Sequence, residues 1–243
     1  MKLLYVGHSS VIIEDRIRII IDPYLKGEGR EGISRYNPNA FLSVEDVHPD
    51  LILVTHGHGD HFGQTLELME EKSVRLVASK QVCDYVADRL GEDRVIRIEP
   101  GELVSFDEVY VEAVEAEHKH GLEGLFGDII GALLYRRFLR CGTNLGYLVK
   151  IDSYRIYHSG DTYKVPDIGA VDVALLGMDG FRTMNKDEAV EVILKMKPSF
   201  VVPIHYRFFD KGKEIVEKVK EAVNDMRGET IFRELEYGEW LEI

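Results

Sequence analysis

Four apolar residues, Leu51-Ile52-Leu53-Val54, run straight into Thr55-His56-Gly57-His58-Gly59-Asp60-His61. Three imidazoles and a carboxylate therefore fall within six positions, in a chain that has nine histidines in all. His56 and His58 are two residues apart, so a locally extended backbone turns both side chains to one side. Asp60 and His61 follow a glycine that can bend the loop back. One tight loop can thus offer donors to two neighbouring metal positions. Imidazole and carboxylate without thiolate suit Zn or Mn first, with Fe, Ni or Co as further candidates. A polar loop with accidental histidines is the bland alternative, and the density of imidazoles argues against it.

The pattern H-x-H-x-D-H after an apolar strand resembles the signature of the metallo-β-lactamase superfamily. Gly7-His8-Ser9-Ser10 with Ile21-Asp22-Pro23, His158-Ser159-Gly160-Asp161-Thr162 and Pro203-Ile204-His205-Tyr206 resemble one branch of it, the ascorbate-6-phosphate-lactonase-like metal-dependent hydrolases. The resemblance implies an α+β fold, an αββα sandwich of two mixed β-sheets flanked by helices, with a dinuclear site. Carried over residue by residue, it implies one divalent ion held by His56, His58 and His118. The second would be held by Asp60, His61 and His205, with Asp161 bridging. Asp60 and Asp161 are then the catalytic carboxylates. His120, two residues beyond His118, would point the same way on an extended backbone and stands as its substitute. Read singly, Asp161 could be a turn-forming aspartate and His205 a strand end.

Several residues fall in a second tier. Asp22 matches the branch and reads best as an outer partner that orients a ligand histidine. His8, His158, Arg182 and Tyr206 could support the ligands or touch substrate. Gly177-Met178-Asp179-Gly180-Phe181-Arg182-Thr183-Met184 aligns with a stretch that in relatives reads nearer Pro-Ile-Gly-Gly-x-Tyr-Thr-Met. The departures at Asp179 and Arg182 bear on the substrate rather than on the metals.

Such a ligand set leaves open metal positions, the mark of a catalytic site. Two cations about 3.5–4 Å apart bring the pKa of a shared water toward neutrality. The expected function is a metal-dependent hydrolase using a metal-activated water on a small ester, lactone or phosphoester, with a lactone favoured by the resemblance. The alternative is a phosphodiesterase acting on a cyclic nucleotide, a lipid headgroup or RNA. A third reading, a non-catalytic metal-binding regulatory module, predicts lost ligands, and all seven are present.

The totals bound the rest. The 243 residues, 45% hydrophobic, suffice for a sizeable core. No apolar run approaches the roughly 18–20 residues of a membrane span, and the N-terminus reads directly into a strand rather than a signal peptide. A cytoplasmic protein without a transmembrane segment is expected. A net charge of −13 disfavours nucleic acid as a partner. The expected partner is a small, anionic molecule, and a homo-oligomer is left open. Cys83 and Cys141, far apart and outside any CxxC, read as small buried apolar residues.

The elements that must position these groups follow from periodicity. Short β-branched runs predict strands over 2–6, 10–14 and 17–21. Residues 24–43 read as a long irregular loop, with Ser43 capping a turn at 44–47. Strands are expected at 51–54, 74–78, 94–98, 102–106 and 108–114. A hairpin is expected at 145–151 and 154–158. Further strands are expected at 171–176 and 200–203, with 230–233 and 239–242 closing the sheet. Helices are expected at 64–72, at 80–90 before Gly91, at 186–196 behind a capping box of Asn185 and Glu188, and at 211–226. We read residues 1–243 as one domain. A lid-like insertion or dimer contact falls around 119–142, whose Arg136, Arg137 and Arg140 would draw an anionic substrate; a packed helix with a solvated basic end is the other reading.

Overall fold

The computed structural model describes residues 1–27, 40–117, 142–208, 210–226 and 228–243. His118, His120 and the insertion as far as residue 141 lie outside the described residues, as do Cys141 and most of the 24–43 loop. The chain divides into two compact units. The described parts of residues 1–99, 142–143 and 235–243 form the first, and those of 100–117 and 144–234 the second.

The first unit is built on a seven-stranded mixed sheet. Its strands are β1 (Lys2–Gly7), β2 (Ser10–Glu14), β3 (Arg18–Ile21), β4 (Leu51–Val54), β5 (Arg75–Ala78) and β6 (Val95–Arg97), with β14 (Trp240–Glu242) from the C-terminal end. The order is β14-β1-β2-β3-β4-β5-β6. β1 to β3 form the antiparallel meander that their β-branched runs predict. β3 to β6 are parallel, and parallel neighbours need crossovers. One crossover is the helix Lys80–Leu90. Its Val82, Cys83 and Val86 are buried in a cluster with Ile20, Ile52, Val54 and Leu76 from alternate strand positions. It stops at Gly91, whose φ of 91° suits glycine.

The second unit repeats the plan. β7 (Leu103–Phe106), β8 (Val109–Glu115), β9 (Leu145–Ile151) and β10 (Tyr154–His158) are antiparallel. β11 (Val173–Gly177), β12 (Phe200–Ile204) and β13 (Ile231–Phe232) then continue the sheet in parallel. The helix Lys186–Met196 starts as expected. Asn185 accepts from Asp187 N at 2.9 Å and Glu188 N at 3.1 Å, while Glu188 accepts from Asn185 N at 2.8 Å. That helix and Asp210–Asp225 bury Ala189, Ile193, Val216 and Val219 in one core cluster with Ala174, Leu176 and Val201 of the sheet.

Two mixed sheets, each flanked by helices, are the elements that the resemblance implies. Two expectations are corrected. The stretch 64–72 is not a full helix: it holds only the turn Thr65–Leu68, which stops at Met69. The two C-terminal strands do not close one sheet, since β13 pairs with β12 and β14 with β1. Among the described residues no helix is long and apolar enough to cross a membrane.

In each unit the strand directions bring several carboxyl ends to one edge. β1, β3 and β4 run the same way in the first, as do β8, β10, β11 and β12 in the second. Loops at such edges are where mixed and parallel sheets place ligands.

Candidate metal centre

In the first unit the edge carries His8 after β1, Asp22 after β3 and the 55–61 loop after β4. A register shift between Tyr5 and Gly7 ends β1, and His8 follows in the left-handed region at φ 55°. The shift re-aims its side chain, so that Nε2 lies 3.0 Å from Asp60 Oδ2. Extended backbone at His58 leads into the helical turn Gly59–Phe62. His56 and His58 do turn to one side: His56 Nε2 and His58 Nδ1 are 2.8 Å apart. His8, Asp60 and His61 each offer a donor atom within 4.8 Å of one another.

Asp22 holds this loop from behind. It is fully buried and itself left-handed, at φ 50°. Its Oδ1 accepts Thr55 N at 2.8 Å, and its Oδ2 accepts the Thr55 hydroxyl at 2.8 Å. The same Oδ2 lies 2.7 Å from His61 Nδ1. A carboxylate there places the ring proton on Nδ1 and leaves the Nε2 lone pair for a ligand. That Nε2 lies 3.9 Å from Asp60 Oδ2. Gln64 completes the anchor, accepting Leu25 N at 2.8 Å and donating to Gly27 O at 3.0 Å.

In the second unit Asp161 follows β10, Asp179 follows β11 and His205 follows β12. Asp161 is fully buried, on a turn built by its neighbours. His158 Nδ1 accepts Gly160 N at 3.1 Å, and Asn144 donates to Asp161 O at 3.2 Å. The Thr162 hydroxyl accepts Glu117 N at 2.9 Å. This ties the end of β8, just before His118, to the residue after Asp161. His205 stands at φ 57°, with Nε2 3.4 Å from Asp161 Oδ1. Its Nδ1 lies 3.1 Å from Asp179 Oδ2. Burial alone would raise the Asp179 carboxyl. His205 and the backbone N–H groups of Thr183 and Phe181 outweigh it and hold the group well below the ordinary carboxylate range.

These donors fit divalent metal. All are imidazole or carboxylate, and most are buried. With bonds of about 2.0–2.1 Å, two ligands of one tetrahedral ion stand roughly 3.3–3.4 Å apart, which is the spacing of His205 Nε2 and Asp161 Oδ1. The second-tier residues separate. His8 and Asp22 touch the first-unit donors. Arg182 enters through its backbone, donating to Asp179 Oδ1 at 2.8 Å. The Tyr206 hydroxyl donates to Glu234 at 2.9 Å and accepts Arg207 Nε at 2.8 Å. The Asp179 contact to His205 is the one that sequence reasoning missed. The spacing Asp-x-x-x-Thr at 179–183 marks the turn but does not reveal the histidine.

Comparison with known proteins points the same way. A family model described as the beta-lactamase superfamily domain matches residues 2–205. A protein of Thermococcus kodakarensis called a UPF0173 metal-dependent hydrolase is 32% identical over 250 residues, spanning all of both chains. One of the same description from Pyrococcus horikoshii is 33% identical over 233 residues, 93% of each. Among solved structures, a metallo hydrolase of the archaeon Ignicoccus hospitalis is 25% identical with a TM-score of 0.71, covering 100% of this chain and 98% of that one.

Proposed function

The chain belongs to the metallo-β-lactamase superfamily, and from that premise we propose a metal-dependent hydrolase for a small ester, lactone or phosphoester, a lactone first. One ion would be held by His56, His58 and His118, and a second by Asp60, His61 and His205, with Asp161 available to both. Zn or Mn fits the donor set best. The 119–142 insertion would act as a lid.

The observation that carries this reading is the Asp22–His61 pair. A buried carboxylate that sets the tautomer of a histidine beside a second, partly exposed carboxylate is how metal sites orient their ligands. Bound divalent ions would polarise the substrate oxygen and acidify water. The protein's residues do the remainder. Asp60, 29% exposed and steadied by His8 Nε2 at 3.0 Å, orients the attacking water and takes its proton at the carboxylate. Asp161, fully buried, holds its position through the turn His158–Thr162. His61 keeps its proton on Nδ1, against Asp22, and so presents Nε2.

The test is a substrate panel run on the metal-loaded protein. Lactone or ester turnover, abolished by chelation and reduced about 10²–10⁴-fold in kcat by Asp60→Asn, supports the proposal. Turnover of a bis-aryl phosphodiester alone would move the assignment to phosphodiester cleavage. No metal-dependent turnover of either would leave a metal-binding module and end the hydrolase reading.

A further inference from the structure

Asp179 lies where relatives were expected to carry glycine, and at first sight it is a turn residue. Its Oδ1 gathers Phe181 N at 2.8 Å, Arg182 N at 2.8 Å, Thr183 N at 2.9 Å and the Thr183 hydroxyl at 2.9 Å. The Thr183 hydroxyl in turn accepts Asp179 N at 2.7 Å. Gly180, at φ 69°, lets the turn lie on the helix Asp210–Asp225, where an added Cβ would stand 2.2 Å from Ile215 Cδ1. One oxygen therefore takes three successive backbone N–H groups and a hydroxyl. A turn needs nothing from the other oxygen, yet Oδ2 lies 3.1 Å from His205 Nδ1, with Asp179 only 1% exposed.

We infer that Asp179 is a positioning residue: its Oδ2 fixes His205 as the Nδ1–H tautomer, so that Nε2 faces Asp161 as a metal donor. The first unit holds a related pair, aligned there as a hydrogen bond, whereas Asp179 Oδ2 and His205 Nδ1 meet as an ion-pair contact. There Asp22 Oδ1 takes a backbone N–H and Oδ2 takes His61 Nδ1, and His61 Nε2 faces Asp60. In both, one carboxylate oxygen is tied to the backbone so that the other cannot swing away from the ring. A carboxylate is required because it only accepts. An amide at 179 could keep Oδ1 in the turn but would present N–H to Nδ1. That would favour the Nε2–H tautomer, which has no lone pair to give.

The inference rests on His205 being a metal ligand, and the test separates the two. Zn and Mn affinities of wild type, Asp179→Asn and His205→Ala are measured by chelator competition, beside their melting temperatures. In metal-stripped wild type, long-range ¹⁵N–¹H correlation reads the His205 tautomer and needs no variant to fold. The expected result is Nδ1–H at His205. With it, Asp179→Asn keeps its fold and weakens one of two bound ions about 10–100-fold, while His205→Ala loses that ion. Wild-type affinity in Asp179→Asn alongside loss in His205→Ala overturns the positioning role alone. Nε2–H in the wild type overturns it too, including when Asp179→Asn fails to fold. Two ions kept by His205→Ala, or no ion bound by the wild type, overturns the ligand reading and this inference with it.

Discussion

Asp22 Oδ2 and His61 Nδ1 lie 2.7 Å apart, both fully buried, across 39 positions of sequence. The same oxygen takes the Thr55 hydroxyl, so the strand end and the ligand loop hang on one carboxylate. In Asp22→Asn, Oδ1 can still accept Thr55 N, but an amide nitrogen replaces the acceptor that His61 faces. Metal affinity should fall about 10–100-fold. Stability should fall by about 1–3 kcal/mol for the buried groups left unpaired. Chelator competition and a thermal melt measure the two. Unchanged affinity would show that His61 needs no partner.

Gly63 ends the first helical turn after the ligands at φ 46°. A Cβ there would lie 2.0 Å from Pro23 O, the carbonyl that accepts Gln64 N at 3.0 Å. Gly63→Ala must push the 22–25 segment off the ligand loop. Backbone cannot move aside as a side-chain tip can, so a cost of at least about 3 kcal/mol is expected. That corresponds to a melting temperature lower by about 6–12 °C. A melt within a degree of wild type would contradict it.

Cys83 sits in the first unit's core, its Sγ 3.4 Å from the carbonyl oxygens of Ala78 and Ile96. Burial pushes the thiol up to about 12 from an ordinary 9. The folded thiol therefore ionises only as pH rises through that value, and its reactive thiolate is scarce at pH 8. Iodoacetamide at pH 8 should leave Cys83 unmodified in the native protein and label it in urea, as read by peptide mass spectrometry. Native labelling at the rate of a free cysteine would refute this placement.

What could be read beforehand was what is local. The H-x-H-x-D-H loop, the capping box at Asn185 and Glu188, and the stop at Gly91 each lie within a few residues and obey short-range rules. The helix expected over 64–72 is only the turn Thr65–Leu68, and the carbonyl oxygens of Met69 and Glu71 instead accept from Arg94 Nη1 at 2.7 and 2.8 Å, a distant contact that propensity does not register. The two C-terminal strands are legible as strands. Their division between sheets depends on which edge is vacant, which is settled only when both sheets exist. An outer-partner role for Asp22 follows from the resemblance, and its contact with His61 fits that role. Asp179 was noticed only as a departure, because its contact with His205 joins the ends of two strands.

The most direct test of the account is metal content beside turnover, for the protein as purified, after chelation and after reloading. The account predicts two equivalents of divalent metal per chain, lactone or ester hydrolysis lost with them, and recovery of both on reloading. Turnover that survives complete removal of metal would contradict it.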